Sequence, residues 1–488
     1  MVVPPDPAFV SVIVSPPVFC LKDVPAVDFD STSFLTQQYP AAAEITANKK
    51  NRATMANQSP ATTTNATPLT GNQIRGFWAS WGGWTLDGMD SVIYALVLVP
   101  SLRDLLPRSN IAATKGNLGF YGGLLFALFL VGWGCAFIWG PIGDKFGRVR
   151  TLMLTILWYS AFTLLSAFVT NIWQLAALRF LAGIGIGGEW AMGGTFVAEE
   201  MPESWRIRGA GYMHTGYYVG FILAALANFT IGSDFGWRAM FLFGGLPAFL
   251  LAWLRHGVTE PERWLQKEKV IHTWSWWRPL AALFTPALRR RTIVNSLFMI
   301  VSICGLWAGT VYVPAATIAL AESSGRVGPA AAAQLASYAT ILVAFATILG
   351  CLAMPKLAER LGRRGALAFF FAIMAIFIAV TFGKVFYFQQ NALPWFFLCL
   401  FFLGFGGANF AVYTLWLPEQ YPTECRASAF AFSTSFARFI GAGITFLVGA
   451  GVRHFGSIGT PVALTAIAFA AGLLLTPLGH ETKGRPLP

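Results

Sequence analysis

Two carboxylates three residues apart stand inside one long apolar run. Asp87 and Asp90, in Trp84-Thr85-Leu86-Asp87-Gly88-Met89-Asp90, interrupt a stretch from about 76 to 100. On a helix, residues i and i+3 share a face. In hydrocarbon a carboxylate is costly unless it pairs or takes a proton, so both are candidate proton carriers. Arg179 stands in another apolar run and cannot lose its charge. Beside Asp90 it holds the acid ionised; when it moves or finds another anion, the acid protonates. The plainer reading is a structural buried ion pair. Asp87 is a second proton site or a ligand partner, or else a neutral acid hydrogen-bonding between helices. Arg438, in Ser433-Thr-Ser-Phe-Ala-Arg438-Phe, falls near the middle of its apolar run, and no acid in the second half sits at matching depth. Its planar fork suits a ligand carboxylate, against capping by carbonyls or by Asp87. Glu189, within the small-residue run Gly187–Gly194, is a second titrating group or a helix-to-helix bridge. His214, Asn295, Asn409 and Trp416 are candidates to line a cavity, with packing as the plainer role.

The composition says what positions these groups. Of 488 residues 56% are hydrophobic and 11% charged, and the mean hydropathy is +0.59. A soluble domain carries about 25% charged residues, so this is the composition of a polytopic helical membrane protein. The six cysteines have no paired spacing and five lie in or beside apolar segments, which argues against a disulfide framework or a metal site. Nothing resembles a nucleotide loop or a catalytic triad, so an enzyme is not expected.

Twelve apolar segments predict twelve spans, near 76–100, 117–141, 151–170, 173–198, 209–231, 236–255, 291–318, 331–354, 365–388, 393–417, 427–452 and 459–478. With both termini cytoplasmic, about 25 of the 34 basic residues fall inside and about 7 outside, the expected bias. The net charge of +12 is then a topology signal aided by anionic lipid, not a sign of nucleic acid. The predicted organisation is a disordered leader over 1–74, a six-helix bundle over 75–255, a cytoplasmic linker over 256–290, a second six-helix bundle over 291–478 and a tail over 479–488. Met55 is the better start, because it opens a short polar leader of ordinary length. In the linker, His272–Arg278 holds three Trp and reads either as a helix lying in the membrane interface or as a loop packed on the bundle.

The halves repeat. Gly140-Pro-Ile-Gly-Asp144-Lys-Phe-Gly147-Arg148 after span 2 returns as Pro355-Lys-Leu-Ala-Glu359-Arg-Leu-Gly362-Arg363 after span 8. Glu199-Glu-Met-Pro202-Glu-Ser-Trp-Arg206 after span 4 returns as Glu419-Gln-Tyr-Pro422-Thr-Glu-Cys-Arg426 after span 10. Such duplication marks secondary transporters with a midplane site. These loop charges are candidate gates: Asp144 at the start of span 3, where the helix dipole favours an acid, Arg148 and Arg150 reaching Glu199 and Glu200, and Arg363 and Arg364 reaching Glu419. The competing reading is a set of solvated charges that only fixes topology.

The sequence resembles the major facilitator superfamily in its sugar-porter-like branch. Gly140–Arg148 resembles the superfamily's motif between helices 2 and 3. Leu181-Ala-Gly183-Ile-Gly185-Ile-Gly187-Gly188 with Phe196, Glu199 and Arg206 is similar to the sugar-porter pattern of helices 4 and 5. Glu260-Pro-Glu-Arg263-Trp264-Leu265 resembles the Pro-Glu-Ser-Pro-Arg-Trp motif after helix 6, and Glu481-Thr-Lys-Gly484 the Pro-Glu-Thr-Lys-Gly motif after helix 12, with His480 in the place of Pro. Asp87-Gly-Met-Asp90 resembles helix 1 of proton symporters for aromatic acids, departing at Met89, and Gly187-Gly188-Glu189 resembles helix 4 of sialate- and lactate-type symporters. The resemblance covers 76–488. It implies an all-α membrane fold of twelve helices in two pseudo-symmetric six-helix bundles, with Asp90 and Arg179 at the positions of the sugar porters' proton-coupling pair.

The expected function is import of a small organic anion with protons by alternating access, in the inner or plasma membrane, as a monomer and without a cofactor. A neutral-solute symporter is the alternative, though helices 5 and 7 lack the Gln that sugar sites carry. A drug–proton antiporter is another, though helix 5 lacks the Gly-Pro kink. A receptor of this fold would carry long extra domains, and none is evident.

Overall fold

The computed structural model describes residues 68–488, apart from 255–256, 311 and 324–328. The predicted leader up to residue 67, with the start expected at Met55, lies outside the described residues. The elements are helical: α1 Gly71–Arg108, α2 Lys115–Cys135, α3 Trp139–Phe146, α4 Arg148–Leu165, α5 Ile172–Glu200, α6 Glu203–Ala227, α7 Ser233–Leu254, α8 Glu262–His272, α9 Arg278–Ala282, α10 Arg289–Thr310, α11 Val313–Ser323, α12 Pro329–Gly383, α13 Ala392–Gly406, α14 Asn409–Trp416, α15 Arg426–Phe455, α16 Gly459–Leu464 and α17 Ala466–Leu475.

Eight helices among the described residues are long and apolar enough to cross a membrane. One of them, Gln334–Tyr387, is 54 residues long, or about 80 Å at 1.5 Å per residue, more than two bilayer cores. It breaks at Gly362 (φ 77°, ψ 175°) and so supplies spans 8 and 9. The α1 helix has the length, at 38 residues, but Gly, Ser, Trp and three Asp dilute its hydropathy. The α7 helix and the α10–α11 pair complete the twelve.

Close backbone approach sets the first bundle. A Cβ on Gly88 would lie 2.1 Å from the Tyr217 carbonyl oxygen, and one on Gly220 would lie 2.1 Å from that of Thr85. Two missing side chains thus let α1 and α6 touch along the turn that carries Asp87 and Asp90. Across the halves, α6 packs on α12, and α15 packs on α2 and α3.

The linker departs from one expectation. Trp274, Trp276 and Trp277 occupy the turn between α8 and α9, not a helix. Pro279 sits at the start of α9, so the chain cannot run helically through the Trp cluster. Arg278 lies 4.3 Å over the Trp274 ring, and Lys145 Nζ donates to the Trp274 carbonyl at 2.9 Å. Leu283 packs in a small core with Tyr421, Cys425 and Ala429. The segment is a turn tied to the bundle through Trp274, with Trp276 and Trp277 exposed.

Candidate functional site

Helix α1 delivers Asp90 and α5 delivers Arg179, both fully buried. Arg179 Nη1 is 3.5 Å from Asp90 Oδ2. That is a loose pair, because the other guanidinium nitrogen is committed elsewhere: Nη2 donates to the Phe162 carbonyl (3.2 Å), Thr163 Oγ1 (3.1 Å) and Ser166 Oγ (2.9 Å). The cation also faces the rings of Phe241 (4.9 Å) and Tyr94 (5.6 Å). Arg179 is therefore anchored to the α4 side while touching the acid, an arrangement in which Asp90 can be released without stranding the cation. One turn along, Asp87 is fully buried and neither carboxylate oxygen has a hydrogen-bond partner. Glu189 is also fully buried, and it, Asp90 and Arg438 are near enough for their charges to act on Asp87.

Arg438 is 3% exposed on α15. Its guanidinium lies 3.9 Å over the Trp133 ring, and Nη1 donates to the Thr434 carbonyl at 2.5 Å. Nε has no partner, and no ion pair to Arg438 occurs among the described residues, Asp87 included. It lines a cavity with Trp84, Trp133, Trp190, His214, Tyr217, Tyr218 and Phe410. The walls are stacked rings: Trp84 lies on Tyr217 (4.7 Å, 28°) and on Trp190 (5.4 Å, 21°). As it stands the cavity has room for about one water. The cavity is contracted, with no room for a solute as it stands.

The sequence candidates divide by place. His214 lines the cavity. Asn409 is buried and adjoins the wall residue Phe410 in sequence, its amide donating to the Gly406 carbonyl at 3.0 Å, but it is not itself in the wall. Asn295 and Trp416 lie elsewhere. Asn295 pairs with Gln420 and Tyr421 at 3.2 and 3.1 Å, and Trp416 Nε1 donates to the His480 carbonyl at 2.8 Å.

At the basic end of the bundle Arg148, Glu199, Arg206, Arg363, Glu419 and Arg426 are buried, not solvated. Arg148 forks onto Glu199 (2.9 and 3.1 Å), and Arg426 of the other half reaches the same carboxylate at 2.8 Å. The repeat reproduces this: Arg363 forks onto Glu419 (2.8 and 2.7 Å), and Arg206 of the first half approaches it at 3.4 Å. Three expectations need correction. Asp144 does not serve the start of α4. Its oxygens accept from the Ala427 and Ser428 amides (3.1 and 2.8 Å) at the N-terminus of α15, and it pairs with Arg148 at 3.1 Å. Arg150 is exposed and does not bond Glu199 or Glu200; Glu200 accepts from Asn72 Nδ2 at 2.8 Å. Arg364 does not reach Glu419 but lies 3.7 Å from Glu481. Glu359, the repeat partner of Asp144, is exposed, with no ion pair among the described residues.

A sequence profile described as "Major Facilitator Superfamily" matches residues 83–445. The chain belongs to this superfamily. It is a multi-pass membrane transporter. A relative from Cupriavidus pinatubonensis, described as a probable 4-methylmuconolactone transporter, is 27% identical over 84% of this chain and 91% of its own. The niacin transporter NiaP of Acinetobacter baylyi is 28% identical over 84% of this chain and 94% of its own. Among solved structures, the proton:xylose symporter XylE bound to 6-bromo-6-deoxy-D-glucose superposes with a TM-score of 0.70 at 18% identity, over 85% of this chain and 98% of that one.

Two features of this facilitator are missing from the sequence reading. One is the aromatic wall. The spacing carried a signal: Trp84 is one turn from Asp87, Trp190 adjoins Glu189, and Tyr217 and Tyr218 follow His214 at i+3 and i+4. The other is a matched pair of caps. Glu260 accepts from the Arg148, Val149 and Arg150 amides (2.7, 3.0 and 3.0 Å) and Glu481 from those of Arg363 and Arg364 (3.0 and 3.1 Å). Gly147 (φ 108°) and Gly362 (φ 77°) make both possible, since a Cβ there would fall within 3 Å of the carboxylate. The motifs after helices 6 and 12 are thus N-caps for helices 3 and 9. Burial raises the Glu260 carboxyl above its usual range despite its three amides. For Glu481 burial pushes the same way, but the backbone amides outweigh it and lower the carboxyl.

Proposed function

We propose that this facilitator imports a small organic anion, a monocarboxylate or related acid, with protons by alternating access. The observation that carries the reading is Arg438: a buried guanidinium with no acid partner among the described residues, backed by Trp133 in a ring-walled cavity. Such a cation gains most from a bidentate carboxylate. No amide side chain lines the cavity, which disfavours a neutral polyol. The solutes for which the two relatives are named, a muconolactone and niacin, support an acid of this size.

Asp90 is the proton carrier and Arg179 its switch. Asp87, deep and without a partner, is a second proton site or a ligand partner, and Glu189 follows it toward the basic end. Asp144, Arg148, Glu199, Arg206, Arg363, Glu419 and Arg426 lock that end by joining the halves, and release them for the inward-facing state. Breaking one buried ion pair costs about 3–5 kcal/mol, so the locks can set a two-state equilibrium. On this reading the basic end is cytoplasmic, both termini lie there, the membrane is the inner or plasma membrane, and the proton gradient supplies the energy without a cofactor.

The test is counterflow of labelled acids in proteoliposomes. Arg438→Lys, which loses the fork, should weaken anion affinity about tenfold or more. Unchanged affinity removes Arg438 from the site.

A further inference from the structure

We infer that Trp190, Thr414 and His214 form a relay that selects acids carrying a second hydrogen-bond acceptor besides the carboxylate. The inference rests on the cavity being the substrate site. An indole N–H only donates, and Trp190 Nε1 donates to Thr414 Oγ1 at 2.9 Å. The hydroxyl therefore receives one bond and has its single proton to give. His214 Nδ1 lies 3.4 Å away, a long contact that orients the ring more than it binds it, and we assign the hydroxyl as its donor. With Nδ1 as acceptor, the imidazole proton sits on Nε2.

The ring is held against turning. It lies parallel to Phe410 (6.4 Å, 5°) and tilted against Trp190 (5.5 Å) and Trp84 (5.8 Å). His214 is 2% exposed, and no carboxylate bonds it among the described residues. It shares the cavity wall with Arg438. The cavity thus presents two different donors: a charged fork for a carboxylate, and one neutral N–H for a lone acceptor such as a ring nitrogen, a lactone oxygen or a hydroxyl. The ring walls suit a planar body between them. The relay also crosses the halves, since Trp190 and His214 come from α5 and α6 and Thr414 from α14. The N–H is therefore oriented when the halves close.

The experiment is calorimetric binding of benzoate, nicotinate and 3-hydroxybenzoate to the purified full chain, with thermal melts to show that each variant is folded. Wild type should prefer the two acceptor-bearing acids over benzoate by about tenfold, one neutral hydrogen bond. His214→Phe, which keeps a ring but no donor, should bring that ratio to about one. His214→Gln, which restores an N–H near the Nε2 position, should recover part of it, and Thr414→Val should reduce it about threefold. A wild-type ratio near one, a ratio untouched by His214→Phe, or equal loss in Phe and Gln variants overturns the relay while leaving the Arg438 site standing. Failure of all three acids to bind, or binding insensitive to Arg438→Lys, overturns the cavity reading and the relay with it.

Discussion

The two halves share a scaffold but carry opposite charge into their interiors. In the first, Asp87, Asp90 and Glu189 are fully buried with Arg179 as the cation among them. In the second, the deep charge among the described spans is Arg438, without an acid. At the basic end the halves are nearly equivalent: one Arg forks onto one Glu in each, and a second Arg crosses from the other half. Duplication kept these ion-pair clusters, which on the proposed mechanism both halves need in order to rock against each other. It did not keep the interior charges. On the proposed mechanism this is a division of labour, with protons in the first half and the anion in the second. Each cavity donor then meets a ligand, not a matching residue across the pseudo-dyad.

The division can be broken most directly at Asp90. Asp90→Asn should abolish proton-driven accumulation, a loss of about a hundredfold or more on the scale of a removed proton carrier, and spare counterflow. Loss of both would make Asp90 structural, and the first half would have no separate proton role.

The locks test how equivalent the halves are. Glu199→Gln leaves Arg148 and Arg426 buried without a carboxylate between them, a cost of about 3–5 kcal/mol. Glu419→Gln strands Arg363, but Arg206 keeps Glu203 at 2.5 Å. Thiol labelling of cysteines placed under the locks should therefore rise more for Glu199→Gln than for Glu419→Gln. Equal labelling would mean the crossing arginines carry no weight.

A smaller contrast separates Asp144 from Glu359. Asp144→Asn weakens the cap on α15 and the pair to Arg148, worth about 1–2 kcal/mol. Glu359→Gln, on an exposed side chain, should change the melting transition by no more than about 0.5 kcal/mol. Equal shifts would restore the symmetry that the structure denies.

The smallest effect concerns the two caps. On acidification Glu260, raised by burial, should take its proton before Glu481, whose amides hold it low. The raised group adds stability that is present below the ordinary glutamate range and lost as pH rises through its own higher value. The lowered group adds stability that is present above that range and lost as pH falls through its own lower value. Infrared difference spectra of Glu260→Gln and Glu481→Gln would assign the two carboxyl bands; the reverse order would mean the caps differ in some way other than burial.

Much of the fold was legible from the sequence for two physical reasons. A bilayer demands about 20 apolar residues per span, and a duplicated unit leaves its loop motifs in register, as Asp144–Arg148 and Glu359–Arg363 do. The pairing of Asp90 with Arg179 was legible too, because few charges sit at depth and these two fall at the positions of the sugar porters' coupling pair. The cavity wall was not. Trp84, Trp190 and Tyr217 look like the many aromatics that merely pack, and hydrophobic pattern carries no mark of which ring faces a void.

By itself the sequence determined the number of spans, the orientation expected from charge, the duplication and the residues whose burial has to be compensated, since all of these follow from local composition and spacing. Only the tertiary structure decided which half each loop charge serves. Asp144 caps a helix of the opposite half, Glu260 and Glu481 cap helices 112 and 118 residues away in the chain, and Arg426 and Arg206 cross between the bundles. Those choices depend on where helix ends meet in space. Spacing along the chain does not encode that.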